Sequence, residues 1–234
     1  MTIESPNNRT AMRLSFIAAL SYNSWPLAYF LNRSVLQHGL ASDLEKFNQP
    51  YSWIFIACDV LAGVLLVIAA CLQYPRATYR LLRLEVLAYG SFGLVLISAA
   101  LMPIGCQQVM NICVERLTSP ASILHSSLSI GSIMLLASGV MLSVVLRRVV
   151  GEKGWRMQLL VLTATGMPVL GALGLVDIVN GNKHNELQYI FIVVTSLAIL
   201  QAVNSSILLA YKAPPCLSLR TLGKSIRKGR SFYP

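Results

Sequence analysis

Six apolar runs, each about as long as a helix that crosses a bilayer, govern what this chain can fold into. A hydrocarbon core of about 30 Å takes roughly 20 helical residues. Runs of that size lie at Leu14–Leu31, Trp53–Leu72, Leu84–Met102, Ser122–Leu146, Leu159–Val179 and Ile190–Ala210. Stretches such as VLAGVLLVIAA and IFIVVTSLAIL lack the alternation of a lipid-facing barrel strand. The expected fold is therefore all-α, a polytopic membrane helical bundle of six transmembrane helices. Charged residues are 12% of the 234 and hydrophobic ones 55%. An ordinary soluble domain carries about a quarter charged residues, and a disordered chain carries still fewer apolar ones, so both are excluded.

The basic residues orient the bundle. Fifteen Lys and Arg fall in the first, third, fifth and seventh segments outside the runs, and four in the second, fourth and sixth. By the positive-inside rule both termini are expected in the cytoplasm. This gives a short cytoplasmic segment over 1–13, a transmembrane domain over 14–211 and a basic tail over 212–234, in a multi-pass protein of the cell membrane. The net charge of +10 reads as topology, not as a nucleic-acid surface. The first run follows Arg9 and Arg13 as a signal peptide would. It is longer than the usual apolar core, contains Asn23 and Pro26, and lacks a small-x-small site before Asn32, so it is expected to remain as a helix.

Two cysteines, Cys106 and Cys113, fall in the expected outer loop between runs three and four. In an oxidising compartment they are expected to close a disulfide that stiffens PIGCQQVMNICVERL. The tail after Lys212 has basic residues and no acidic one. Its Arg220, Lys224, Arg227, Lys228 and Arg230 are expected to lie on anionic lipid headgroups, each attracted by about 1 kcal/mol near the surface.

Ionisable groups inside spans usually face the bundle interior, pair, or line a pathway. Asp59, His125 and Asp177 all fall in the outer half of their runs, with Asn23 at a similar depth in the first. On run four His125, Ser129, Ser132, Gly139 and Ser143 share a helical face, as do Thr163, Gly166, Gly174 and Asp177 on run five. Small residues at such spacing let helices approach closely in lipid. An outer-leaflet polar cavity of Asp59, His125, Asp177, Asn23 and Ser129 is therefore expected. It reads as a register-fixing pair, as a site for a small ligand, ion or proton, or as a metal-activated hydrolytic centre with zinc on His125, His184 and Asp59. The chain has three histidines, His38, His125 and His184, with no pair four residues apart. Phosphate-loop, nucleophile-elbow, paired C-x-x-C and dinucleotide signatures are missing. The expectation is a non-enzymatic membrane protein that binds a small ligand, lipid headgroup or partner, with no cofactor. A hydrolase or a small-solute or proton transporter is the alternative.

Two stretches carry a family resemblance. HGLASDLEKFNQPYSWIFIACDVLAGVLL is an outward loop with Ser42, Leu44 and Pro50 leading into a helix with Gly63, and LHSSLSIGSIMLLASGVML opens a helix with His125 and Ser126 or Ser129. In these the chain resembles the bacterial six-span family catalogued as domain of unknown function 998, which implies topology, not activity. A more distant resemblance is to membrane hydrolases of the alkaline ceramidase and adiponectin-receptor type. Their zinc-binding H-x-x-x-H is replaced here by His184 and Gln188.

Overall fold

The computed structural model describes residues 6–33, 44–45, 49–77, 79–102, 106–109, 112–115, 120–149, 154–179, 190 and 192–200. The helices α1 (Pro6–Tyr22), α2 (Ser52–Gln73), α3 (Arg80–Ala100), α4 (Pro120–Val149) and α5 (Trp155–Val179) follow the apolar runs in order. Residues 192–200 form the helical segment α6. Among the described residues three stretches are long and apolar enough to cross a membrane, Ser52–Arg76, Arg80–Ala100 and Ile123–Val149. Large apolar side chains stand exposed along them, Leu61, Ile68, Leu87, Leu94, Ile130, Met134 and Met141 among them. Exposed apolar groups in such number are a liability in water and a normal surface in lipid. This is a helical membrane protein.

Consecutive helices pack on one another: α1 on α2, α2 on α3, α3 on α4 and α4 on α5. On α1 the small residues Ala11, Ser15, Ala18 and Ala19 are buried while Phe16 and Leu20 face out, an i, i+4, i+7, i+8 stripe. The helices α2 and α3 cross closely. A Cβ on Gly63 would lie 2.6 Å from the Gly93 carbonyl oxygen, and one on Gly93 would lie 2.7 Å from that of Gly63. Only glycine lets the two backbones meet there. The shared core draws on all six helices, with Ala18, Leu66, Phe92, Leu136, Leu160, Met167 and Ile199 buried in it.

Several expectations need correcting. The first apolar run is not one helix. After Tyr22 the chain breaks, turns through the 3-10 helix Trp25–Leu27 and resumes for one turn over Ala28–Leu31. Pro26 has no N–H to donate to the Tyr22 carbonyl and disfavours helical backbone at Trp25, so the break is local chemistry. The loop between α3 and α4 contains a hairpin, β1 (Cys106–Val109) and β2 (Ile112–Glu115), in an otherwise helical fold. Its antiparallel register sets Cys106 opposite Glu115 and Gln108 opposite Cys113. The cysteines are thus diagonal neighbours, about 7–8 Å apart, beyond the Cα spacing of about 4.4–6.8 Å that a disulfide bridges. This register does not support the expected disulfide. On α5, no described residue lies within 4 Å of a Cβ added at Gly166. The second half of the sixth run and the basic tail lie outside the described residues.

Candidate functional site

The chain between α1 and α2 returns to the bundle at Leu44, which is 2% exposed and packs with Ala28 and Phe55 against Trp25 and Leu31. A hydrogen bond from Asn32 Nδ2 to Gln49 Oε1 at 3.1 Å ties the two ends of the connection together. Tyr51 then enters α2 with φ 61°, a left-handed backbone that few non-glycine residues adopt. With Leu44 seated, the next residue, Glu45, reaches Asp59 on α2, and their carboxyls hydrogen-bond. Such a bond needs at least one of the two protonated, so the pair holds a proton between them. Burial pushes the Glu45 carboxyl up, opposed by the bond to Asp59 and by the His125 ring.

Two more groups meet this acid pair. His125, one turn into α4, is buried. Its Nδ1 lies 3.1 Å from the Ala99 carbonyl in the last turn of α3. A carbonyl only accepts, so Nδ1 carries the hydrogen and donates, capping the C-terminal end of α3. The other ring nitrogen, Nε2, then has a lone pair to offer while the ring is neutral. Tyr22, the last residue of α1, packs edge-on against Phe92 with ring centroids 6.1 Å apart. The charges of Asp59 and Glu45 act on its hydroxyl.

Of the residues expected from sequence, Asp59 and His125 therefore share a neighbour, Glu45. Asn23 Oδ1 accepts from Trp25 Nε1 at 2.7 Å, which fixes the break after α1. Ser129 is half-buried, and its carbonyl accepts from Ser132 Oγ at 2.7 Å. Asp177 lies near the C-terminal end of α5, but its side chain, like all of His184, falls outside the described residues. Sequence reasoning left Glu45 in the loop. The sign that pointed to it was Leu44, an apolar residue between acids in a polar stretch.

A second polar cluster, not anticipated, occupies the other end of α3 and α4. About 33 Å of helix axis separates Arg147 from His125 along α4, close to the thickness of a bilayer core. Glu85, Tyr89, Ser143 and Arg147 are all buried there. Ser143 Oγ hydrogen-bonds to Glu85 Oε1, lies 3.4 Å from the Tyr89 hydroxyl and 3.1 Å from the Gly139 carbonyl. The charges of Glu85 and Arg147 both act on Tyr89. The spacing held a signal: Glu85 and Tyr89 are one helical turn apart on α3, as Ser143 and Arg147 are on α4.

Among the described residues no three His, Cys, Asp or Glu side chains converge as metal ligands would. The acid pair, the imidazole and the phenol form a set of acceptors and proton carriers, and that is what the arrangement offers chemically. No curated protein and no solved structure matches the chain. The model of one family, described as protein of unknown function (DUF998), matches residues 16–205. That match takes in Leu44, Gly63 and His125, the loop anchor, the close crossing and the helix cap. By it, the chain belongs to the DUF998 family.

Proposed function

We propose that this is a six-span protein of the cell membrane with both termini in the cytoplasm, and that its outer-leaflet polar cluster binds a small cationic ligand of the ammonium type without chemical turnover. The carrying observation is the delivery of Glu45 to Asp59 beside His125 and Tyr22. The carboxyl oxygens of the acid pair and a phenol oxygen supply the acceptors that the N–H groups of an ammonium group require, and His125 Nε2 adds one while its ring is neutral. On this reading Asn23, Ser129 and Asp177 are assigned to the rim of the site, as their depth in the apolar runs suggests. The charge asymmetry of the loops supports the orientation. On the cytoplasmic side the tail residues Arg220, Lys224, Arg227, Lys228 and Arg230 rest on anionic lipid.

The test uses the full chain in phosphatidylglycerol nanodiscs, titrated with methylammonium and with ethanolamine. A ligand that binds only the folded state raises the melting temperature by mass action. The expected rise occurs in the wild type, disappears in Asp59→Asn and Glu45→Gln, and persists in Glu85→Gln. A rise with phosphatidylethanolamine in the disc, but with neither free amine, identifies a lipid headgroup as the source. No rise under any of these conditions refutes the reading. Orientation is checked separately with a reporter fused to the C-terminus, active only in the cytoplasm.

A further inference from the structure

The Glu85 cluster is built for more than holding two helices together. Ser143 has one hydroxyl hydrogen, yet two acceptors lie within reach of it, the Glu85 carboxyl and the Gly139 carbonyl at 3.1 Å. The Tyr89 hydroxyl, 3.4 Å from Ser143 Oγ, can donate to that same oxygen. Two complete arrangements follow. With Glu85 ionised, Tyr89 donates to Ser143 and Ser143 donates to Glu85. With Glu85 protonated, Glu85 donates to Ser143 and Ser143 turns to the Gly139 carbonyl, the ordinary i to i−4 bond of a helical serine. One proton is gained and the direction of the chain reverses, with Ser143 bonded in both states.

We infer that Glu85, with Ser143 as its reversible partner, is a proton-binding site at the opposite end of the bundle from Asp59. The neighbouring groups are disposed for it. Tyr89 is held in place by Gly139, where an added Cβ would lie 2.9 Å from the ring. Arg147, one turn beyond Ser143 on α4, is 3% exposed, and Glu85 is fully buried beside Ser143. From the matching end of α2, Cys71 and Tyr74 are exposed, and Arg76 in the turn after it is half-buried. Arg148, next to Arg147, is exposed. Among the described residues, Ser143 on α4 bonds Glu85, and Tyr89 on the same helix as Glu85 reaches Ser143.

Infrared difference spectra of the full chain in nanodiscs, recorded between pH values at which it stays folded, decide the matter. A protonated-carboxyl C=O band is expected that is lost in Glu85→Gln, shifted in Ser143→Ala and kept in Asp59→Asn. Since hydrogen bonds to charged groups are among the stronger ones, Ser143→Ala should change the proton affinity by about tenfold, and Tyr89→Phe by less. Should Glu85→Gln fail to fold, Glu85→Asp keeps a carboxyl and must move the band. Absence of any Glu85-dependent band, or a band indifferent to Ser143→Ala, overturns the inference. Persistence of the band in Asp59→Asn keeps this outcome separate from the fate of the outer site.

Discussion

Acidic side chains are brought into this bundle by two different routes. Glu85 sits on α3, and Ser143, which hydrogen-bonds to it, and Tyr89, which reaches Ser143, sit on α4 and α3. Glu45 sits on a connection, and it reaches Asp59 because Leu44 beside it is buried between Ala28 and Phe55. In the first case the geometry follows from the register of two long helices and changes only if they move. In the second it depends on one apolar anchor, and can be undone while the helices stay in place. The helix-borne cluster is consequently tied to global stability, and the loop-borne one is open to local release.

The sharpest way to break this contrast is at Arg147. Replacing it with Met removes the buried positive charge that acts beside Glu85 and Tyr89. Loss of one member of a buried charged set costs about 3–5 kcal/mol, so a large fall in melting temperature in detergent is expected. Adding Glu85→Gln should recover most of it. Strictly additive losses would mean that the two charges are not coupled.

A smaller loss, about 2–3 kcal/mol from cavity formation, is expected for Leu44→Ala. Its signature is a loop-end defect with the helical core intact, seen as faster hydrogen exchange at the start of α2 and not in α3. Exchange that rises equally in both helices would erase the distinction drawn here.

Gly139→Ala should cost about 1–2 kcal/mol, because the added methyl meets the ring of Tyr89 in a buried site. Gly131→Ala is the control. No described residue lies within 4 Å of the Cβ it would add, so the helix should gain up to about 1 kcal/mol from propensity alone. Equal effects of the two on melting temperature would show that Tyr89 is not held as described.

The mildest effect is one of pH. Because the folded Glu45 carboxyl is pushed up by burial, the native state binds more protons than the unfolded one between the ordinary glutamate value of about 4.3 and the raised folded value. Stability therefore falls as pH rises through that window. Glu45→Gln should flatten this slope, while Leu44→Ala should weaken it by freeing the carboxyl to water. A slope unchanged in Glu45→Gln assigns the pH dependence to other groups.

Much of the architecture could be read before any coordinates. In lipid the backbone must satisfy its own hydrogen bonds, so an apolar run of about 20 residues has few options besides a helix. For that reason α2, α3, α4 and α5 fall within a few residues of the runs that announced them. The break after Tyr22 was also written in the chain, in Pro26, yet hydropathy averaged over a window passes through a single proline.

The meeting of side chains was another matter. Asp59 and His125 stood out because a charge in an apolar run is conspicuous, whereas Glu45 and Glu85 lay where charge is unremarkable, in a loop and near a helix end. Sequence by itself determined the helices and the polar groups they carry, since both follow from local transfer energies and periodicity. Tertiary structure alone decided that Glu45 reaches Asp59 and that Ser143 faces Glu85. Those meetings depend on the close approach of α4 to α3, where Gly139 meets the Tyr89 ring, and on the seat of Leu44, distances between residues far apart in the chain that no local preference encodes.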